Sequence, residues 1–129
     1  MCFRYTYTKD EAKLHLRDLI FVFGAVPRAN IRPTDLGPVI LPEHDGFACR
    51  ELRWGWGVPW DKSPLLNAKS ETLGTLATFR PHLHQRCLLL ADQFYEKGVL
   101  FRQPGGPVFC LAGLRRRRVP FLSNMKFPR

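Results

Sequence analysis

From Cys2 to Tyr7 the chain alternates, with Phe3, Tyr5 and Tyr7 on one side and Arg4 and Thr6 on the other, which is the period-2 pattern of a strand. Thr8 followed by Glu11 has the form of a capping box, and Ala12, Leu16, Leu19, Ile20 and Phe23 then recur at helical spacing. The pattern predicts a helix of about three turns ending near Gly24. Residues 27–38 read as a loop, because Pro33 disfavours helix at Arg32 and the neighbouring residues show no period. Strands are predicted at 39–41, 47–52, 87–90, 94–96, 99–102 and 108–114, with a turn at 103–107. Residues 53–60 place three tryptophans among two glycines and a proline, so they read as an aromatic loop or a bulged strand. Ser70 or Thr72 could cap a short helix, and Pro81 could open a second. Many short strands with one good helix define an α+β, mostly β domain with an irregular barrel-like sheet.

Composition fits this picture. The chain has 129 residues, 45% hydrophobic and 24% charged, the balance of one globular domain. Such a chain buries roughly two-thirds of its unfolded surface and needs no disulfide or metal to hold a core. No apolar run approaches the roughly 20 residues of a membrane helix, and the first residues lack the apolar core of a secretory signal. A cytoplasmic protein is expected, without a membrane partner. The net charge of +9 is unevenly spread: residues 115–129 hold six basic residues and no acid, and the rest of the chain carries only +3. The surplus suggests a polyanionic partner, although a short basic end also reads as a solvated, disordered tail.

Cys2, Cys49, Cys87 and Cys110 form no Cys-x-x-Cys pair and lie at no zinc-finger spacing from a histidine, so no metal is expected. Cys49, Cys87 and Cys110 sit in apolar contexts and read as small core residues. Cys2 differs by its position. Removal of Met1 would make it an N-terminal 1,2-aminothiol, with an amine pKa of roughly 7.7–8.0 and a thiol near about 8.5, both partly nucleophilic at neutral pH. An aldehyde can condense with the amine, and the thiolate can then close a five-membered thiazolidine. From position alone, Cys2 is simply a residue near a chain end.

Further segments bear on that choice: Met1-Cys2-Phe3-Arg4-Tyr5, Asn30-Ile31-Arg32-Pro33-Thr34, Arg53-Trp54-Gly55-Trp56-Gly57-Val58-Pro59-Trp60, Asn67-Ala68-Lys69-Ser70-Glu71-Thr72, Phe79-Arg80, the run from Arg86-Cys87-Leu88 to Phe94-Tyr95-Glu96, and Phe109-Cys110-Leu111-Ala112-Gly113-Leu114. In this order they resemble the SRAP family, the SOS-response-associated peptidases that shield abasic sites in single-stranded DNA. The family carries Met-Cys-Gly-Arg, Asn-x-x-Pro-Thr, Arg-Trp-Gly-Leu-x-Pro-x-Trp, Asn-Ala-Arg-x-Glu-Thr and Arg-Cys-Leu-x-Pro-Ala-x-Gly-Phe-Tyr-Glu-Trp. The resemblance implies a partner, single-stranded DNA containing abasic sites, and no small-molecule cofactor. It also implies nucleoid association if the chain is bacterial.

By this resemblance Cys2 matches the nucleophile that forms a thiazolidine cross-link to the ring-opened sugar aldehyde and takes part in peptidase self-processing. Asn30 matches an asparagine that orients the N-terminal residue, and Glu96 a glutamate that assists proton transfer. Without the motifs, Asn30 is an ordinary turn asparagine and Glu96 a solvated acid. Arg4, Asn67, Lys69, Arg80 and Arg86 match polar and basic positions that contact phosphates. Trp54, Trp56 and Trp60 could stack on bases, and Trp56, which replaces an aliphatic residue of the family pattern, is expected to be the accessible one. The chain departs from the family at Phe3, for glycine, at Ala29, for a tyrosine-like residue, at Lys69, for arginine, and at Lys97, for tryptophan. The resemblance ends at Leu114, which predicts a partial domain over 1–114, incomplete at its C-terminus, and a basic tail over 115–129. The family histidine beyond that point has no counterpart in His15, His44, His82 or His84. A second reading stays open, a noncatalytic single-strand-binding remnant held by the tail and the aromatics.

Overall fold

The computed structural model describes residues 2–116. In chain order its strands are β1 (Cys2–Tyr7), β2 (Glu11–Leu16), β3 (Leu19–Gly24), β4 (Arg28–Ile31), β5 (Leu36–Glu43), β6 (Gly46–Arg53), β7 (Trp56–Val58), β8 (Asp61–Leu65), β9 (Arg86–Ala91), β10 (Gln93–Glu96), β11 (Val99–Phe101) and β12 (Phe109–Leu114). A 3₁₀ turn at Arg80–His82, with Pro81 in its first turn, lies between β8 and β9. The fold is mostly β, as the pattern predicts, and its strands do not close into a barrel. Two four-stranded antiparallel sheets, β11-β10-β1-β4 and β12-β9-β5-β6, are accompanied by two-stranded ribbons, in chain order β2-β3 between β1 and β4 of the first and β7-β8 between β6 and β9 of the second. None of the described helical segments is long and apolar enough to cross a membrane.

The core lies between the two sheets. Tyr5, Tyr7, Ile31, Ile40, Leu90 and Ala91 meet there, drawn from β1, β4, β5 and β9. Thr6 is also buried, so β1 is enclosed on both faces rather than on one. The polar side of β1 is satisfied by Asp92, the residue at which the chain passes from β9 in one sheet to β10 in the other. Its carboxylate accepts from Thr6 Oγ1 at 2.6 Å, from Thr8 N at 2.8 Å and from Thr8 Oγ1 at 2.5 Å, and its own N–H donates to the Thr6 carbonyl at 2.9 Å. Burial alone would raise the Asp92 carboxyl, but these bonds, with Lys9 nearby, outweigh it and hold the group below the usual range. Gly37 is needed for a close approach: a Cβ there would overlap Tyr5 Oη.

Two expectations are overturned. The helix predicted after Thr8 is instead the hairpin β2-β3, in register from Glu11↔Gly24 to Leu16↔Leu19. Asp92 holds Thr8 at the strand end and takes the N–H that Glu11 would accept in a capping box. The same residues also alternate, so Ala12 and Leu14 pair with Phe23 and Phe21 on the ribbon's core side, while Ile20 and Val22 face outward. Cross-strand pairing decides between two periods that the sequence allows equally. The predicted loop from residue 27 is strand over β4, where Ile31 and Arg28 pair with Tyr5 and Tyr7 and supply the second neighbour that β1 requires. The other predicted strands form where expected, β5 and β6 being longer; β8 is not among those predicted, and β7 pairs with it with the register irregularity anticipated for a bulged aromatic segment. The expectation of a disordered tail falls, from residue 117 onward, outside the described residues.

Candidate functional site

Cys2 opens β1, and its backbone partner is Glu96, the last residue of β10. The next pair is Arg4↔Tyr95, so Phe3 is an extra residue in β1, a bulge of the kind that re-aims side chains at a sheet end. Phe3 is 59% exposed. The bulky residue at this family glycine position is therefore turned largely to solvent. Glu96 is followed by Lys97 and Gly98, with φ of 49° and 76°, the two positive values of a type I′ turn leading to β11. The Glu96 carboxyl is held below the usual glutamate range, first by a hydrogen bond from the chain's amino terminus and its charge, and further by Lys97. The guanidinium of Arg4 lies 3.9 Å from the Tyr95 ring centroid, a cation–π contact that fixes it on the same sheet end.

Asn30 is set apart from this pair. It lies on β4, on the other side of β1, and precedes the Ile31–Tyr5 pair, so it is displaced along β1 toward Tyr7. Its side-chain oxygen accepts from Arg32 Nε at 3.0 Å and Nη2 at 3.2 Å. With Arg28, Asp35 and Arg53 it lines a polar cavity of about 470 Å³. The strand register thus joins Cys2 to Glu96 and does not bring Asn30 to them.

A second, largely apolar cavity of about 610 Å³ is bounded by β7, β8 and the sheet containing β9 and β12. Asn67 and Arg86 are in its wall. Arg86 is exposed at the start of β9, where its Nε donates to the Leu83 carbonyl at 3.1 Å. Lys69 is exposed in the turn beyond Asn67, with its carbonyl accepting from Thr72 and Leu73 N–H groups, both at 3.1 Å. Arg80 is exposed at the head of the 3₁₀ turn. Arg4, in contrast, belongs to the other sheet.

The tryptophans correct the expectation of an accessible Trp56. Trp56 is 6% exposed, its ring edge-on to Phe79 at 5.3 Å and to His82 at 5.0 Å, with the Arg116 guanidinium 4.6 Å from its centroid. Residues 79–82 turn back over β7 and bring both rings onto it. Trp54 is half-buried, edge-on to Tyr5 at 5.4 Å, and its indole N–H donates to the Leu66 carbonyl at 3.1 Å. Trp60, in the turn between β7 and β8, is 69% exposed and is the open aromatic face.

Two groups carry structural weight that sequence reasoning missed. Asp92 clamps β1, and the spaced pair Thr6 and Thr8 on the opening strand was the available signal. The first arginines of the basic run fold onto the body: Arg115 N–H donates to the Gln85 carbonyl at 2.8 Å, and Arg116 Nη2 donates to the Gly57 carbonyl. Cys49, Cys87 and Cys110 are free thiols in the interior or half-buried, as expected of core residues, and burial raises all three, Cys87 to about 11. Among the described residues, no group of three or more His, Cys, Asp and Glu is arranged to hold a metal ion.

The mostly β fold is shared with a solved structure. A crystal structure of a protein from Bordetella bronchiseptica superposes with a TM-score of 0.64 at 26% identity, over 90% of this chain and 64% of that one. The chain belongs to the SRAP family, the SOS response associated peptidases, whose family model matches residues 1–120. Among curated proteins it is similar to the abasic site processing protein YoqW of Bacillus subtilis (strain 168), 34% identical over 76 residues, which are 54% of this chain and 34% of YoqW. It is also similar to the abasic site processing protein YedK of Escherichia coli (strain K12), 28% identical over 107 residues, which are 74% of this chain and 48% of YedK. The matches thus span about a third to a half of these relatives' length.

Proposed function

We propose that this chain recognises abasic sites in single-stranded DNA and, once Met1 is removed, binds them covalently through Cys2. The observation that carries the reading is the pairing of Cys2 with Glu96 at an open sheet end. An abasic sugar in its ring-opened form presents an aldehyde. The Cys2 α-amine adds to that carbonyl and water leaves, giving an imine. The Cys2 thiolate then adds to the imine carbon, the imine nitrogen takes up a proton, and the thiazolidine ring is closed.

An amine must lose its proton before it attacks. Glu96, a carboxylate ionised at neutral pH, is suited to accept that proton and return it to the departing hydroxyl. Cross-linking therefore rises with pH through the amine's titration, about 7.7–8.0, and is insensitive to Glu96 over that range. Exposed Lys69, Arg80 and Arg86 supply the strand with lesion-independent phosphate contacts, and Trp60 offers a face on which any base can stack. The family's peptidase self-processing fits the same pair, with Cys2 as nucleophile and Glu96 as proton carrier.

Denaturing electrophoresis with an abasic oligonucleotide tests the reading. A shifted band is expected with the wild-type chain and none with Cys2→Ala or with an intact strand. A band that persists in Cys2→Ala contradicts the reading. Binding without any shifted band supports instead a noncatalytic single-strand-binding protein.

A further inference from the structure

We infer that Arg115 and Arg116 are a built phosphate-binding site on the folded body, which anchors the strand away from the lesion; the inference rests on the single-strand-binding reading above. Cationic residues are concentrated at this end of the molecule. Arg86, Arg115 and Arg116 meet there through β9 and β12, Arg80 lies on the 3₁₀ turn that precedes β9, and no Asp or Glu occurs in residues 72–91 or 97–116. The register sets Arg86 opposite Leu114, and the Arg115 N–H closes onto Gln85, so Arg115 continues directly from the β9-β12 pair.

The two arginines are held, not trailing. Arg116 donates to the Gly57 carbonyl and lies over Trp56, whose ring is itself fixed by Phe79 and His82. His82 is tied to buried Gln85, with Nδ1 and Oε1 3.2 Å apart, and the Gln85 carbonyl receives the Arg115 N–H. Trp56 is thus a positioning residue, presenting a guanidinium rather than stacking on a base. Trp56 falls where the chain departs from the family pattern, at an aliphatic position.

An independent observation points to an anion. Arg115 Nε is buried with no acceptor among the described residues. A buried guanidinium N–H without a partner is costly, and native structures rarely leave one so. Neither β9 nor β12 carries a carboxylate, so a phosphate oxygen is the acceptor that would satisfy it, and the guanidinium fork suits a phosphodiester.

The test is fluorescence anisotropy of the full-length chain with an intact, labelled oligothymidylate across a potassium chloride series. It involves no lesion and no covalent step. For single strands the slope of log affinity against log salt falls by about 0.7 for each phosphate that is no longer neutralised. Arg115→Gln and Arg116→Gln should each lower the slope by about 0.7 and weaken binding about fivefold at 0.1 M salt, taking the curves to meet near 1 M. Trp56→Leu should reproduce the Arg116→Gln effect although it removes no charge. Lys13→Gln, which removes one exposed charge on β2, should leave the slope unchanged. Near-ultraviolet circular dichroism of each variant checks that the fold is kept. The inference is overturned if the arginine variants behave like Lys13→Gln, or if Trp56→Leu folds normally and binds as wild type. Should the anchor variants lower the slope while abasic DNA never cross-links, the covalent reading fails and the anchor stands. If the wild-type chain binds no strand, both fail.

Discussion

Asp92 shows at the scale of one residue how the site is supported. It fixes Thr6 and Thr8, and through them the strand that begins with Cys2. Its folded-state pKa lies below the unfolded value of about 3.9, so the stabilisation is present above that pH and is lost as pH falls through the folded value. Asp92→Asn should cost about 1–3 kcal/mol in urea unfolding at pH 7, and the gap to wild type should narrow as pH falls below the unfolded value of about 3.9. An equal loss across this range would contradict the assignment of charge to this clamp. The thiols make a second prediction. Burial raises Cys49, Cys87 and Cys110, Cys87 to about 11, so iodoacetamide at pH 7.5 should modify Cys2 well before the others in the folded chain, and all four once it is unfolded. Mass mapping reads this directly, and early labelling of Cys87 would count against the core described. At this scale the sequence was only partly legible. The tryptophan cluster was visible, but which ring is open depends on how residues 79–82 fold over β7. Trp60 rather than Trp56 is the exposed face, and Trp60→Ala should weaken binding of intact strands by about 1–3 kcal/mol per stacked base, measured by anisotropy.

Among the elements, those with a single possible period were legible. β1, β9, β10 and β12 alternate or run apolar between clear turn residues, and they form within a residue or two of where the pattern sets them. The segment after Thr8 satisfies two periods. Its helical reading failed because Asp92, distant in sequence, holds Thr8 and takes its N–H, a long-range interaction that no local pattern contains. β4 was illegible for a related reason: Arg28–Ile31 has no strong strand pattern and is extended because β1 needs a second partner. The candidate site divides the same way. Cys2 and Glu96 meet because two legible strands pair, whereas Asn30 is carried elsewhere by the illegible one. The hairpin that replaced the helix has Arg17 at φ 54° in its two-residue turn, a conformation that costs a non-glycine residue about 1 kcal/mol. Arg17→Gly should therefore raise the melting temperature, and a fall would contradict the hairpin.

Across the whole molecule, the proposed reactive end and the proposed anchor belong to different sheets. β1 and β10 carry Cys2 and Glu96 in one sheet, while Arg86, Arg115 and Arg116 lie where β9 and β12 pair in the other. Affinity for any strand should come mostly from the cationic end and be strongly salt-dependent, while preference for the lesion comes from the aminothiol. The most direct measurement of this claim is the intact mass of the product formed with an abasic oligonucleotide. One adduct is expected, equal to the chain without Met1 plus the oligonucleotide less one water, formed faster as pH rises toward the amine's titration and absent in Cys2→Ala. An adduct that retains Met1, or one of the same mass in Cys2→Ala, would contradict it.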